Sequence, residues 1–374
     1  MKTLRLFASF ILLISGAFSH FHVFDTSFSM ILGFLGSVSL LIFYLDKSIR
    51  AKWIYILLAL MLISLVFLFS IWYTNKVIPL ELFKALVTLV VNTLLLLVVY
   101  LADIDQEEMS IIFSFHEKMI LLSAILSIFQ FVFGNFFNVF LFAPWQRYSF
   151  TFLGSAGVRG CGIFSEPGHF GLFASLYVFT KKDNQNLMKA VIITIGLLTT
   201  FSLVAYFSIL MLLLSSQKKV KITIIAIFLI FTVIFISTPY YQRILRSLTA
   251  LRVFEYTEGV STFQRIWLGF FLYKDFLSTS EKLFGIGIGD KSVISERVGS
   301  LPEFFMNGFS EELSGLGFVG FLFLNIFLLG ILGVTRFLFL SLLRVGDTVT
   351  IFSPWCIYIY FVLALTAKMR RVES

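Results

Sequence analysis

Charge, cysteine and histidine are all scarce in this chain. Only 13% of its 374 residues are charged, and it holds two cysteines and four histidines. A soluble globular domain carries about a quarter of its residues as charges, so an ordinary water-soluble fold is excluded first. Cys161 falls in a loop-like stretch and Cys356 in a hydrophobic run, and neither they nor the histidines show metal-ligand spacing. No disulfide, metal or cofactor is therefore expected. Fixed-period repeats and low-complexity linkers are absent too, so residues 1–374 read as one domain.

What is abundant is apolar: 59% of the residues are hydrophobic and the mean hydropathy is +0.96. Uncharged runs of about eighteen or more residues recur, each long enough as a helix to cross a hydrocarbon core roughly 30 Å thick. Runs such as IYILLALMLISLVFLFSIWY are apolar on every face, which rules out the alternating pattern of a β-barrel strand. The expected fold is all-α, a polytopic transmembrane helix bundle of about 10–12 spans with two large outward-facing loops.

The net charge of +8 needs no nucleic acid partner. Most basic residues flank hydrophobic runs, as cytoplasmic ends do: Lys2 and Arg5; Lys47, Arg50 and Lys52; Lys181, Lys182 and Lys189; Lys218, Lys219 and Lys221. Lys2 and Arg5 before LFASFILLISGAFS also fit a cleaved signal peptide, but a second apolar run follows so soon that an uncleaved first helix is simpler.

From a cytoplasmic start, spans are expected over 6–23, 27–45, 53–73, 82–102 and 119–142, followed by an outward loop over 143–168. The next helix, Pro167 to Thr180, rises only about 21 Å, so its outer end and Glu166 would lie in a recess below the membrane surface. Basic clusters flank both ends of 189–216, which predicts two short helices breaking near Thr199, Thr200 and Ser202. A span over 221–237 leads to the second outward loop, 238–312, whose apolar patch IWLGFFLY should pack on the membrane face. A span over 313–335 and a last apolar region, 337–367, holding one helix or two, complete the chain. Lys368, Arg370 and Arg371 argue for a cytoplasmic end.

The stretch GVRGCGIFSEPGHFG, Gly157 to Gly171, is the first candidate site. Pro167 suits a first helical turn, where its missing N–H removes no bond. A helix N-terminus together with Arg159, whose planar fork can meet two phosphate oxygens, could hold a phosphate, and Glu166 could act as general base. The plainer reading makes this a connector with Glu166 as a helix cap; an ionisable residue held within the bilayer boundary favours the functional one. His169, three residues on, is expected to line the site.

In the second loop Arg265 heads STFQRIWLGFFLYKDF, and EKLFGIGIGDKS follows. No strand–turn–helix unit surrounds these glycines, so a dinucleotide fingerprint is rejected. Gly285, Gly287 and Gly289 instead suit a tight turn, read first as a plain turn and second as one whose N–H groups could face an anion. Asp103 and Asp105 form a D-x-D inside DIDQEE, read as a solvated acidic linker.

RGCGIFSEPGHFG, then STFQR with LFGIGIGD, then SEELSGLGFVGFLF, in this order on this hydrophobic architecture, resemble the O-antigen polymerase and ligase superfamily, most closely its Wzy-type polysaccharide polymerases. The resemblance implies a metal-independent glycosyltransferase of the bacterial cytoplasmic membrane that joins repeat units carried on undecaprenyl pyrophosphate, at the outer face. Arg159 and Glu166 match the first loop of that family and Arg265 the second. The implied partners are the undecaprenyl-pyrophosphate-linked glycan donor and acceptor, membrane lipid, and a polysaccharide chain-length regulator as a candidate. The ligase branch usually carries a histidine in the second loop; here none follows His169, which favours a polymerase. The rival from another class is a lipid-linked oligosaccharide flippase, but the spans lack the ionic rows of a coupled transporter. A polytopic glycosyltransferase with its base in the first outer loop ranks third, since that loop offers only Asp25.

Overall fold

A computed structural model describes residues 2–15, 17, 22–23, 26–45, 59, 80–101, 104–137, 139, 150–152, 155–164, 166–180, 186–236, 269–287, 307–346, 349–351 and 356–373. Among them the chain is helical apart from two short antiparallel pairs, β1 (His22–Val23) with β2 (Thr26–Ser27) and β3 (Phe150–Phe152) with β4 (Ser155–Gly157). The expected span 53–73 lies outside the described residues except for Ala59. The chain divides into two compact units: residues 1–12, 33–106 and 249–374, and residues 13–32 and 107–248.

The described helices of the first unit are most of α1 (Lys2–Ser15) and α2 (Phe28–Leu45), then α3 (Leu80–Leu101). The second unit holds α4 (Gln106–Phe136), α5 (Pro167–Thr180), α6 (Leu187–Leu198), α7 (Leu203–Ser215) and α8 (Lys218–Ile236). The chain then returns to the first with α9 (Gly269–Asp275), α10 (Thr279–Phe284), α11 (Gly308–Leu332), α12 (Val334–Gly346) and α13 (Ile357–Glu373). Two of these, α4 and α11, are long and apolar enough to cross a membrane, and shorter apolar helices cover Ile31–Tyr44, Ala85–Leu101, Leu187–Leu198, Val204–Ser215 and Ile357–Met369.

Several expected boundaries hold. α5 starts at Pro167 and ends at Thr180, the run 189–216 does break into two helices, and 337–367 contains parts of two helices. Others move. α4 begins at Gln106, thirteen residues before 119, because Glu107 and Glu108 sit in its first turn, where acidic side chains suit the helix dipole. Asp105 is exposed, as a solvated linker requires, but Glu108 is fully buried; Asp103 lies outside the described residues. α11 starts at Gly308, inside the stretch 238–312 expected to be a loop, behind an Asn307 cap that accepts from the Ser310 N–H. Within that loop α9 packs on α11, its Phe270 ring 5.8 Å from Phe309.

In the second unit small residues let helices approach. α5 packs on α7 where Gly171 meets Ala205, and the Ser208 hydroxyl lies 2.7 Å from the Gly171 carbonyl and 2.6 Å from Ser175 Oγ. The first unit buries a charged cluster instead. Arg344 on α12 and Glu312 on α11 form an ion pair, both side chains 0% exposed. Arg344 also donates to Asn325 Oδ1 at 2.8 Å and its guanidinium sits 5.4 Å from the ring centres of Phe309 and Phe321. The other Glu312 oxygen accepts from the Ile351 N–H at 2.9 Å. Because each charge is desolvated, the pair holds only while both members are present. Arg344→Met alone should destabilise the protein by about 3–5 kcal/mol, whereas adding Glu312→Leu should recover most of the loss. Thermal unfolding of the purified variants in detergent measures this; a double variant as unstable as the single one would refute the account.

Candidate functional site

The loop between β4 and α5 is fixed from α4. Ser123, Ser127 and Gln130 recur at helical spacing on one α4 face, and all three are fully buried. The Gln130 amide fits the loop four ways: Oε1 accepts from the N–H groups of Cys161 and Gly162, each at 2.9 Å, and from the Cys161 thiol at 3.6 Å, and Nε2 donates to the Gly162 carbonyl at 2.9 Å. One turn on, Asn135 pairs with Val158 through both backbone groups, at 2.9 and 2.8 Å. Ser123 turns back to its own helix, donating to the Met119 carbonyl.

The same loop closes the break between α6 and α7. Thr199, Thr200 and Phe201 leave the helix, Phe201 at φ 49, a left-handed conformation that a bulky residue adopts only under strain. Their carbonyls are taken up by the loop: Gly160 N–H donates to Thr199 O at 3.0 Å, Arg159 Nε to Thr200 O at 2.7 Å, and Arg159 Nη2 to Phe201 O at 3.2 Å. Ser127 reaches the Gly196 carbonyl at 3.0 Å and Thr199 Oγ1 at 2.9 Å. The approach is so close that a Cβ on residue 160 would stand 2.1 Å from Ser127 Oγ, hence glycine there.

Arg159 is thus a cation at the C-terminal end of α6, a favourable position against the helix dipole. The guanidinium edge formed by Nε and Nη2 is engaged with two carbonyls, so the two-oxygen grip on phosphate expected of Arg159 is not available from that edge. Glu166 immediately precedes α5, its carbonyl accepting from the N–H groups of His169 and Phe170, and its side chain is half-buried. His169 is buried in the first turn of that helix. Cys161 links the two charges: burial pushes its thiol up to about 12, against the pull of the Arg159 cation and with a further push from the Glu166 carboxylate. The Arg159 and Glu166 charges thus both act on the Cys161 thiol.

Arg265 and Gly289 lie outside the described residues. Gly285 and Gly287 do form a turn, at φ 84 and 94, but not an open anion cradle. Gly285 N–H donates to Glu281 O at 2.7 Å, and the Ile286 and Gly287 N–H groups donate to Ser314 O and Gly315 O at 3.0 and 3.2 Å. A Cβ on residue 285 would meet Gly315 O at 2.2 Å, so this glycine serves the docking of α10 on the kink of α11. Among the described residues no group of three His, Cys, Asp or Glu side chains is placed to hold a metal ion.

Sequence reading missed Gln130 and Ser127, placed inside an apolar span, although their polar spacing was a usable signal. It also missed Glu312 with Arg344, where a lone arginine inside an apolar run should have prompted a search for its partner. Comparison with protein-family models, with curated proteins and with solved structures finds no match to this chain.

Cys161 supplies a test of this packing. Both cysteines are buried thiols, so in a Cys356→Ala background only Cys161 can react. In the native protein at about pH 8 it should resist iodoacetamide, and denaturant should release it. A native pKa above the ordinary 9.0 favours the folded state only while the thiol is neutral; this contribution is full below about pH 9 and is lost as pH rises toward 12. Alkaline unfolding should accordingly come at higher pH in Cys161→Ala than in the parent, if packing loss is corrected at neutral pH. Rapid labelling of the native protein would show that the loop is not closed as described.

Proposed function

We propose that this chain is a multi-pass membrane glycosyltransferase that polymerises undecaprenyl-pyrophosphate-linked oligosaccharide repeat units into O-antigen or capsular polysaccharide at the outer face of a bacterial cytoplasmic membrane. The membrane setting is supported by α4 and α11, by the shorter apolar helices, and by exposed apolar side chains such as Ile222, Leu229 and Val233 on α8 and Phe318 and Leu322 on α11. The observation that supports the reaction is a glutamate at a helix start and an arginine of the preceding loop whose charges both bear on one buried thiol, in a sequence that resembles the first loop of the polymerases.

In this reading the acceptor sugar hydroxyl attacks the anomeric carbon of the donor. Glu166 takes the hydroxyl proton, the bond from that carbon to the pyrophosphate oxygen breaks, and the lipid pyrophosphate leaves with the electron pair. Such a leaving group needs neutralising charge rather than activation, a role assigned to Arg265 and, through its field alone, to Arg159; preorganised charge of this kind contributes several kcal/mol. Arg159 also keeps the loop in place. Direct displacement inverts the anomeric centre, and retention of configuration, read by NMR of donor and product, would exclude it.

A proton acceptor of this kind contributes about 100-fold to 10,000-fold. With reconstituted protein and a lipid-pyrophosphate repeat unit, wild type should give a ladder, Glu166→Gln should slow it within that range, and Arg265→Ala should stop at single units. A ladder from all variants at matched protein levels would remove the site; no ladder from wild type would remove the function. Transmembrane movement of substrate surviving in Glu166→Gln, with no ladder in wild type, would instead favour the flippase.

A further inference from the structure

Gln130 has no role in the chemistry above, yet it is the side chain with the most complete grip on the loop. We propose that Gln130 is the positioning residue of this site, fixing through Cys161 and Gly162 where the Glu166 carboxylate stands; this rests on the reading of Glu166 as the base. Three backbone groups at two adjacent residues, two donors and one acceptor, meet one side chain that offers an acceptor oxygen and a donor nitrogen. A carboxylate there would still accept twice but would oppose the Gly162 carbonyl. An apolar side chain of the same length would take this partner from all three groups in a buried place.

The hold extends to Phe164, two residues before Glu166, because the turn from Cys161 is itself pinned. The Phe164 N–H donates to the Cys161 carbonyl at 3.1 Å, and the Phe164 ring, 0% exposed, lies 4.2 Å from the Phe173 ring centre and 6.1 Å from that of Phe170 on α5. The loop is thus fixed to α4 at Gln130 and to α5 at Phe164, two residues before the glutamate. A displacement of about 1 Å at a reacting group can slow a reaction 100-fold without altering affinity for the substrate.

The test compares Gln130→Met, Gln130→Glu and Ser123→Ala, whose hydroxyl bonds only within its own helix among the contacts described, in the Cys356→Ala background. Two readouts are used: the rate of Cys161 alkylation by iodoacetamide, and kcat and KM for repeat-unit transfer by the reconstituted protein. Gln130→Met should speed alkylation about tenfold or more and lower kcat about 100-fold with KM little changed. Gln130→Glu should shift both in the same direction by less, and carries the test alone if the Met variant does not accumulate. Ser123→Ala should change neither. Undiminished protection of Cys161 in the Gln130 variants overturns the grip, whatever the activity. Faster alkylation with unchanged kcat overturns the positioning role, while Glu166→Gln judges the base separately. No transfer by wild type overturns the function and this role with it, but leaves the alkylation result to stand as a fact about the loop.

Discussion

A helix that stops inside an apolar surround must find partners for its last carbonyls, and the second unit is arranged around that requirement. At the end of α6 the partners can be followed residue by residue. Ile195 O receives the Thr199 N–H, Gly196 O receives the Ser127 and Thr199 hydroxyls, and Leu197 O receives the Thr200 N–H and hydroxyl. Leu198 O takes the Phe201 N–H, Thr199 O the Gly160 N–H, and Thr200 O and Phe201 O the Arg159 guanidinium. Without residues 159 and 160 three carbonyls would lose these partners. The break and the loop therefore stabilise each other, and the loop in turn holds Glu166 at the start of α5.

The first unit meets a related problem with side chains rather than backbone. Glu312 and Arg344 would each be too costly to bury alone, and together they are supported by Asn325, the Ile351 N–H and two aromatic faces, with the Arg344 Nε–H left unpaired among the described residues. Nearby, Arg336 on α12 donates to the Thr366 hydroxyl and carbonyl, and Gly285 of the α10 cap fits against the Gly317 kink. Among the described residues of this unit, charge and glycine are absorbed by helix docking, and the N–H groups of Gly285 and Gly287 are spent on Glu281 O and Gly315 O rather than on an anion.

Much of this was legible in the sequence where a covalent or electrostatic rule acts locally. Pro167 has a fixed φ and no N–H, so it marked the start of α5 to the residue, and two basic clusters that cannot lie on opposite sides marked the break at Thr199. What was not legible depends on partners distant in the chain. Gln130 is 32 residues from Gly162, Arg344 is 32 from Glu312, and Arg159 is 41 from Thr200. Nothing local to Arg159 told whether its fork would face a phosphate or a carbonyl. Nor could an apolar run disclose that α4 begins thirteen residues early, since Glu108 becomes tolerable there only once it is buried in company.

The identity of residue 159 bears on how the proposed chemistry divides its charge. Lysine could place one ammonium near one carbonyl, but two carbonyls from successive residues, one behind a strained Phe201, are met by the two parallel N–H directions of a guanidinium edge. Serving them draws part of the cation's field into the α6 terminus, where the helix dipole is negative. The residue that stabilises the loop is for that reason a weaker candidate to neutralise a departing pyrophosphate than an arginine with an open fork. Under the proposed mechanism the first loop then contributes mainly the base and its rigid placement.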